Sequence, residues 1–219
     1  MSELYALLKD KEPLQKAMLY EVIKRVNEKD VKNNQTNNIT RTVGNRFEEL
    51  GLDEQPQEFT RRLTGLKAPF WRERNDLSKE VNKDLIKQHI IQSIQDGPTL
   101  QQMKTDTLIT WAQILALLLV AEGLKTSQIR KFLSGVRGVE VKAKRDDPEM
   151  FTRQDVSFLK VHLAYAQARQ ESVKPLMEVM SAVIDKIREE GKDGLEDFIK
   201  FVRFVEAVVA YHRFYGGAE

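Results

Sequence analysis

From Leu108 to Ala121 the chain is apolar on every side, with only Thr110 and Gln113 interrupting the run. A membrane-spanning helix needs roughly 20 such residues, and this stretch has 14. A helix that is apolar all round but too short to cross a bilayer belongs in the core of a fold. The rest of the chain supplies helices to surround it. Leu4, Leu7 and Leu8 start a short apolar stripe, and Pro13 opens a second that carries Leu14, Met18, Val22 and Val26. The asparagine-rich run from Asn33 to Asn38 reads as a loop or hinge, because asparagine competes for its own backbone. Short helices are predicted around 42–50 and 56–64, separated by Gly51 and Pro56, with a bend over Lys67 to Trp71. Val81, Leu85, Ile86, Ile90 and Ile94 place a helix over 78–95, ended by Gly97-Pro98.

Gly97-Pro98 also marks the best internal boundary, giving an N-terminal helical module over 1–98 and a helical bundle over 99–219. In the second part Thr99 is expected to cap a long helix to Glu122, stopped by Gly123. Thr126 or Ser127 caps the next, over 128–137, with Gly135 and Gly138 loosening its end and 138–150 left basic and irregular. Thr152 with Asp155 resembles a capping box for a helix to Arg169. Pro175 sits in the first turn of a helix closed by Gly191, and a last helix runs from about Leu195 to Tyr215. Period-two alternation is absent. The fold class is therefore all-α, a helical bundle with an additional N-terminal helical module.

Several chemistries are excluded. With no cysteine there are no disulfides, iron–sulfur sites, cysteine zinc sites or cysteine nucleophiles. His89, His162 and His212 show no metal-ligand spacing, and neither a phosphate loop nor a GxSxG elbow occurs. Asp146-Asp147 beside Pro148 reads as turn chemistry. No enzymatic activity, cofactor or metal is expected. The start, Met-Ser-Glu-Leu-Tyr, lacks the basic and apolar regions of a signal peptide, so a soluble cytoplasmic protein with no membrane partner is expected.

Net charge is only +2, but its distribution is uneven. Between Lys125 and Arg145 lie seven cations (Lys125, Arg130, Lys131, Arg137, Lys142, Lys144 and Arg145) against one acid, Glu140. That is the local footprint a polyanion site needs, although basic stretches are often plain solvated surface. Ile129, Phe132, Leu133 and Val136 form the apolar arc of the helix here. Arg130, Ser134 and Arg137 fall opposite them, with Ser127 and Lys131 at the edge and no acid on that face. Guanidinium forks, an ammonium and hydroxyls suit phosphate oxygens.

The helix after Thr152 shows two apolar sides, Leu159/Leu163/Ala166 and Phe158/Val161/Tyr165, and is expected to lie between neighbours. Lys160 and Arg169 on its polar seams are either bridges to acids within the bundle or exits toward a ligand. In the last helix Glu206, between Arg203 and Arg213, reads as a strut pairing with them. Phe70-Trp71-Arg72-Glu73-Arg74 interleaves aromatic and basic residues, as single-stranded nucleic-acid sites do. With Glu73 inside it, the preferred reading is a Trp that anchors the fold.

Three blocks in order then carry a family resemblance. They are Leu124-Lys-Thr-Ser-Gln-Ile-Arg-Lys131, Phe158-Leu-Lys-Val-His-Leu-Ala-Tyr-Ala-Gln-Ala-Arg169, and Glu206-Ala-Val-Val-Ala-Tyr-His-Arg-Phe-Tyr-Gly-Gly217. Together they resemble the small all-helical subunit of type III-A (Csm) CRISPR effector complexes. The departures are mild: Gln167-Ala168 where Ala-Gly is usual, and Arg213 for a lysine. The resemblance covers roughly Thr105 to Gly217, and the first hundred residues have no counterpart in it. It implies a non-catalytic subunit of a ribonucleoprotein complex. Such a subunit forms an inner filament with further copies of itself, beside backbone and large subunits. It touches target RNA, paired with guide RNA, without reading sequence. By position, the resemblance makes Lys125, Ser127, Arg130, Lys131, Lys160 and Arg169 RNA-binding candidates, and Glu206, Tyr211 and His212 structural ones. Charge alone adds Arg137, Lys142, Lys144 and Arg145.

Three rival readings stand beside it. A helical adaptor with only protein partners would dock the basic stretch on an acidic surface. A helix-turn-helix DNA binder would read with 127–137, but Phe132 and Val136 leave it little polar surface. An enzyme with an unfamiliar site lacks any clustered acid–base set.

Overall fold

Proline and glycine set many of the helix ends. In the computed structural model, which describes residues 1–145 and 147–219, prolines lie in the first turns of α2 (Pro13–Arg25), α5 (Pro56–Thr64) and α11 (Lys174–Lys186). There the missing N–H is no loss. The first helix, α1 (Glu3–Ala6), precedes α2; α3 (Glu28–Lys32) and α4 (Thr36–Leu50) follow it. After α5 comes α6 (Phe70–Val81), continued by a wider π-type stretch over Asn82–Ile91 into α7 (Gln92–Asp96). Then come α8 (Thr105–Ala121), α9 (Thr126–Arg145), α10 (Arg153–Arg169), α11 and α12 (Gly191–Phe214). Among the described residues the only extended pairing is one isolated bridge between Thr152 and Glu190. The fold is an all-α bundle.

The chain divides into two compact units, Met1–Leu85 and Ile86–Glu219. Gly97-Pro98 lies inside the second unit, just past the end of α7.

In the first unit α4 packs on α2, α3 and α5, and α6 packs on α1, α2 and α3. Leu19, Val22, Ile23, Ile39, Val43, Leu63 and Leu77 are fully enclosed, and Phe47 meets Phe59 edge-on at 5.2 Å. Glu21 of α2 is buried in this core. It accepts two hydrogen bonds from Arg46 of α4, at 2.8 and 3.1 Å, and pairs also with Arg25. The asparagine run is a turn only at its start, because α4 begins at Thr36.

In the second unit α8 is the centre, with Leu108, Trp111, Ala112 and every residue from Ile114 to Leu119 buried. Burying each large aliphatic chain there contributes about 1.5–3 kcal/mol. The helix α12 lies along α8 and α9, and α11 lies against α7, α8 and α10. Thr99 does not cap α8. Residues 99–103 instead form turns held by buried Asp197 of α12, which accepts from the Gln101 amide at 2.9 Å and from Arg188 Nε at 2.8 Å. Gly191, expected to close the helix after Pro175, begins α12 at φ +74°. The earlier helix stops at Lys186, whose Nζ donates to the carbonyls of Gln95 and Gly97.

Candidate nucleic-acid interface

The basic stretch lies on one continuous helix. Gly135 and Gly138 do not end α9, which runs to Arg145 because packing outweighs their weak propensity. Ile129, Phe132, Val136 and Glu140 are buried along its inner side, with Phe132 edge-on to Phe201 of α12 at 6.5 Å. Residues 138–145, expected to be irregular, therefore carry Lys142 and Arg145 onward along the outer side. At about 1.5 Å per residue, 20 residues make a rod of about 30 Å.

The start of α9 is fastened by the C-terminal segment. The Thr126 amide donates to the Ala218 carbonyl at 2.7 Å. The Thr126 hydroxyl lies 3.2 Å from His212 Nδ1 and 3.4 Å from the Gly217 carbonyl. His212 is fully buried, with Nε2 at 2.9 Å from the Leu124 carbonyl. A carbonyl only accepts, so Nε2 carries the proton and Nδ1 is free to accept from Thr126. Burial pulls the His212 pKa below its ordinary value, against the Leu124 hydrogen bond that raises it, so the ring is neutral. Gly217 packs so closely on the ring that a side chain there would stand 2.1 Å from it.

Lys125, Ser127, Arg130, Lys131, Arg137, Lys142, Lys144 and Arg145 are all exposed. The absence of acids read from the helix alone does not survive folding, because carboxylates arrive from other elements. Arg137 pairs with Glu140 and with Glu206 of α12, and Lys144 pairs with Glu140 at 2.7 Å. Lys142 meets Asp155 of α10 at 2.7 Å, and Arg130 meets Glu219 at 3.8 Å. Burial pushes the Glu140 carboxyl up, but hydrogen bonds from Lys144 and Arg137 outweigh it and hold the pKa below the usual range. Lys125, Lys131 and Arg145 make no ion pair among the described residues. The pairs to Asp155 and Glu219 are exposed and worth roughly 0–1 kcal/mol each, so a phosphate can displace them; Glu140 is buried, so its pairs with Arg137 and Lys144 are costlier to break. Glu206 thus reaches Arg137 across the α9–α12 contact, while Arg213 pairs with Glu219.

The helix α10 runs antiparallel to α9. Gln128 at the start of α9 donates to Gln170 just past the end of α10, and Lys142 meets Asp155 at the opposite ends. Arg169 therefore comes beside the first turn of α9. It is exposed and lies over the Tyr165 ring at 5.8 Å. Lys160 points elsewhere and bridges to Asp185 of α11 at 2.6 Å. Of the two readings left open for that pair, Lys160 is a bridge to an acid, whereas Arg169 is exposed and makes no such bridge among the described residues. The expectation that α10 lies between neighbours is corrected. Leu159 and Leu163 are buried, whereas Phe158, Val161 and Tyr165 are 66%, 60% and 66% exposed. Asp146 lies outside the described residues, and Asp147 accepts from the Glu149 amide at 3.0 Å in a turn. Among the described residues, no three His, Asp or Glu side chains converge as a metal site, and no helix is long and apolar enough to cross a membrane.

His212 was expected to be structural; what the sequence did not reveal is that Thr126 and the Gly217 segment close on it, and that carboxylates from other helices reach the α9 cations. The closure on His212 did leave a signal, in the Tyr-His and Gly-Gly pairs of the third block.

Fold and site define a class: an all-helical bundle whose long basic helix lies on the surface and is fastened by the C-terminal segment. The family model described as Csm2 Type III-A matches residues 102–218. The chain is 41% identical over 97 residues to the CRISPR system Cms protein Csm2 of Streptococcus thermophilus, which covers 44% of this chain and 76% of that protein. It is 30% identical over 98 residues to the protein of the same name from Enterococcus italicus, covering 42% of this chain and 69% of that one. No solved structure matches the chain. The chain belongs to the Csm2 family of type III-A CRISPR systems.

Proposed function

We propose that this chain is a non-catalytic small subunit of a type III-A CRISPR ribonucleoprotein complex. In this role it lies along target RNA paired with guide RNA and touches the sugar-phosphate backbone without reading bases. The observation that carries the reading is the outer face of α9, a rod of about 30 Å with Lys125, Lys131 and Arg145 unpaired among the described residues and four further exposed cations that pair with carboxylates. Arg169 extends the face at the end where α10 meets α9. Pairing between guide and target supplies specificity, so the protein need only supply well-placed charge. The ammonium, guanidinium and hydroxyl groups of the face suit phosphate oxygens.

A filament subunit also buries one surface against the next copy through a heterologous contact. The exposed stripe of Phe158, Val161 and Tyr165 suits that contact, because apolar side chains grouped on a surface mark an interface. The deciding experiment for the RNA role is the double variant Lys125→Ala/Lys131→Ala, titrated with several unrelated single-stranded RNAs across a salt series. Affinity should fall by a similar factor for every sequence, and the slope of log K against log salt should shrink by about 1.4, or 0.7 per lost contact. A loss confined to particular sequences would contradict backbone contact.

A further inference from the structure

The family match covers residues 102–218 and leaves the first unit without a role. That unit carries one surface whose composition points to a ligand. Phe70 opens α6 with its ring buried, and Arg74, one turn on, lies over that ring at 5.8 Å. Phe70 is therefore the anchor that the sequence assigned to Trp71. Trp71 itself is 52% exposed.

The acid that argued against a nucleic-acid role is taken out of play. Glu73 is buried, and its Oε2 accepts from the backbone amides of Glu3 at 2.6 Å and Leu4 at 3.3 Å. The exposed carboxylate of Glu3 accepts in turn from the Lys67 amide at 3.3 Å. The side chains of Lys67 and Arg72 are exposed and make no ion pair among the described residues. What faces solvent is an indole with two exposed cations near it in the chain, Arg72 next to it on α6 and Lys67 four residues before it, neither in an ion pair among the described residues. On α6 the other large apolar side chains, Phe70, Leu77 and Val81, are buried, so a protein partner would find no second large apolar side chain of that helix beside Trp71 to complete the contact. A nucleotide matches both halves, its base on the indole and its phosphates on the ammonium and guanidinium.

We propose that Trp71, with Lys67 and Arg72, is a stacking site for single-stranded RNA, outside the family-matched bundle. The choice of RNA as the strand rests on the function proposed above; the exposed indole and its neighbouring cations do not. The site would hold an unpaired stretch of the strand, because a base must be free of its duplex to lie on the indole.

The chain contains its own probe. It has two tryptophans, and Trp111 is buried at 4% exposure, so contact quenching reports on Trp71. The full-length chain is titrated with an oligouridine at low salt while its fluorescence is followed. Quenching is expected in the wild type and should vanish in Trp71→Phe. Affinity should fall about tenfold in Trp71→Ala and be largely restored in Trp71→Phe, since one base stacked on an aromatic ring carries a loss of that order. Arg72→Ala with Trp71 intact should lower the salt slope by about 0.7. Both positions are exposed, and circular dichroism checks that the variants fold. Unchanged fluorescence together with wild-type affinity of Trp71→Ala would overturn the proposal. So would a blue shift of Trp71 emission on phosphatidylglycerol vesicles without RNA quenching, which would make the surface a membrane contact. The Lys125→Ala/Lys131→Ala variant keeps the two readings apart. If that variant binds normally while Trp71→Ala binds weakly, the α9 reading fails and this one stands. The reverse pattern sinks this one alone.

Discussion

The substitution Gly138→Ala tests the structural basis of the basic face. Gly138 lies within α9, is exposed, and has nothing within 4 Å of where a Cβ would stand. Replacing an interior helical glycine by alanine therefore brings the full propensity difference of about 0.8–1.0 kcal/mol, with no packing cost. For a unit the size of residues 86–219, a gain of about 1 kcal/mol raises the melting midpoint by roughly 3–5 °C. Thermal denaturation followed by circular dichroism at 222 nm reads it directly. Gly135→Ala is the internal contrast. A Cβ there would lie 3.3 Å from Leu159 Cδ2, so part of the gain is lost to adjusting that side chain. The expected order is Gly138→Ala above Gly135→Ala above the wild type. If Gly138→Ala leaves the midpoint unchanged, residues 138–145 are not helical. Lys142, Lys144 and Arg145 would then no longer extend the face, and the 30 Å site would shrink to its first half.

Three further outcomes follow from the same geometry. Because burial lowers the His212 pKa from 6.5, the unfolded chain binds a proton there before the folded chain does. The ring's contribution is therefore complete above about pH 6.5 and lost as pH falls toward its own lower pKa. The difference in stability between the wild type and His212→Gln should shrink between pH 7.5 and pH 5, and a growing difference would be inconsistent with a neutral buried ring. Gly217→Ala, which would place a methyl 2.1 Å from that ring, should detach the C-terminal segment. Losing the hydrogen bond from the Thr126 amide to the Ala218 carbonyl costs about 1 kcal/mol, seen as an earlier denaturant midpoint and faster amide exchange at Thr126. The double variant Phe158→Ser/Tyr165→Ser should weaken self-association in sedimentation velocity without destabilising the monomer, since both side chains are exposed; unaltered association would remove α10 from the interface.

Much of this molecule could be read from its residues, for reasons that are local. Pro13, Pro56 and Pro175 mark helix starts because a proline nitrogen has no hydrogen to leave unpaired. Gly51 and Gly123 mark ends because each adopts a left-handed φ, +65° and +72°. The failures are cases where distant contacts decide. Gly135 and Gly138 stay helical because Phe132, Val136 and Glu140 are held by packing that no nearby residue reveals. Thr99 caps nothing because residues 99–103 form turns held by Asp197, almost a hundred residues away, and α8 begins only at Thr105. In the candidate site the cations were legible, but their carboxylates were not, since Glu206 and Asp155 belong to other helices. The second apolar side of α10 was read correctly as apolar and wrongly as covered. Periodicity reports that a face is greasy; it cannot say whether the cover belongs to the same chain.

The buried pair of Glu21 and Arg46 limits how the first unit can be dissected. Its two charges sit on α2 and α4, and removing either helix takes the cross-helix partner from the other charge, leaving Glu21 with Arg25 or Arg46 with Glu49. Loss of one partner from such a pair costs about 3–5 kcal/mol, a large part of what holds a small domain together. Shortened versions that begin between the two helices should therefore misfold, and the sound cuts are those that keep residues 13–50 whole.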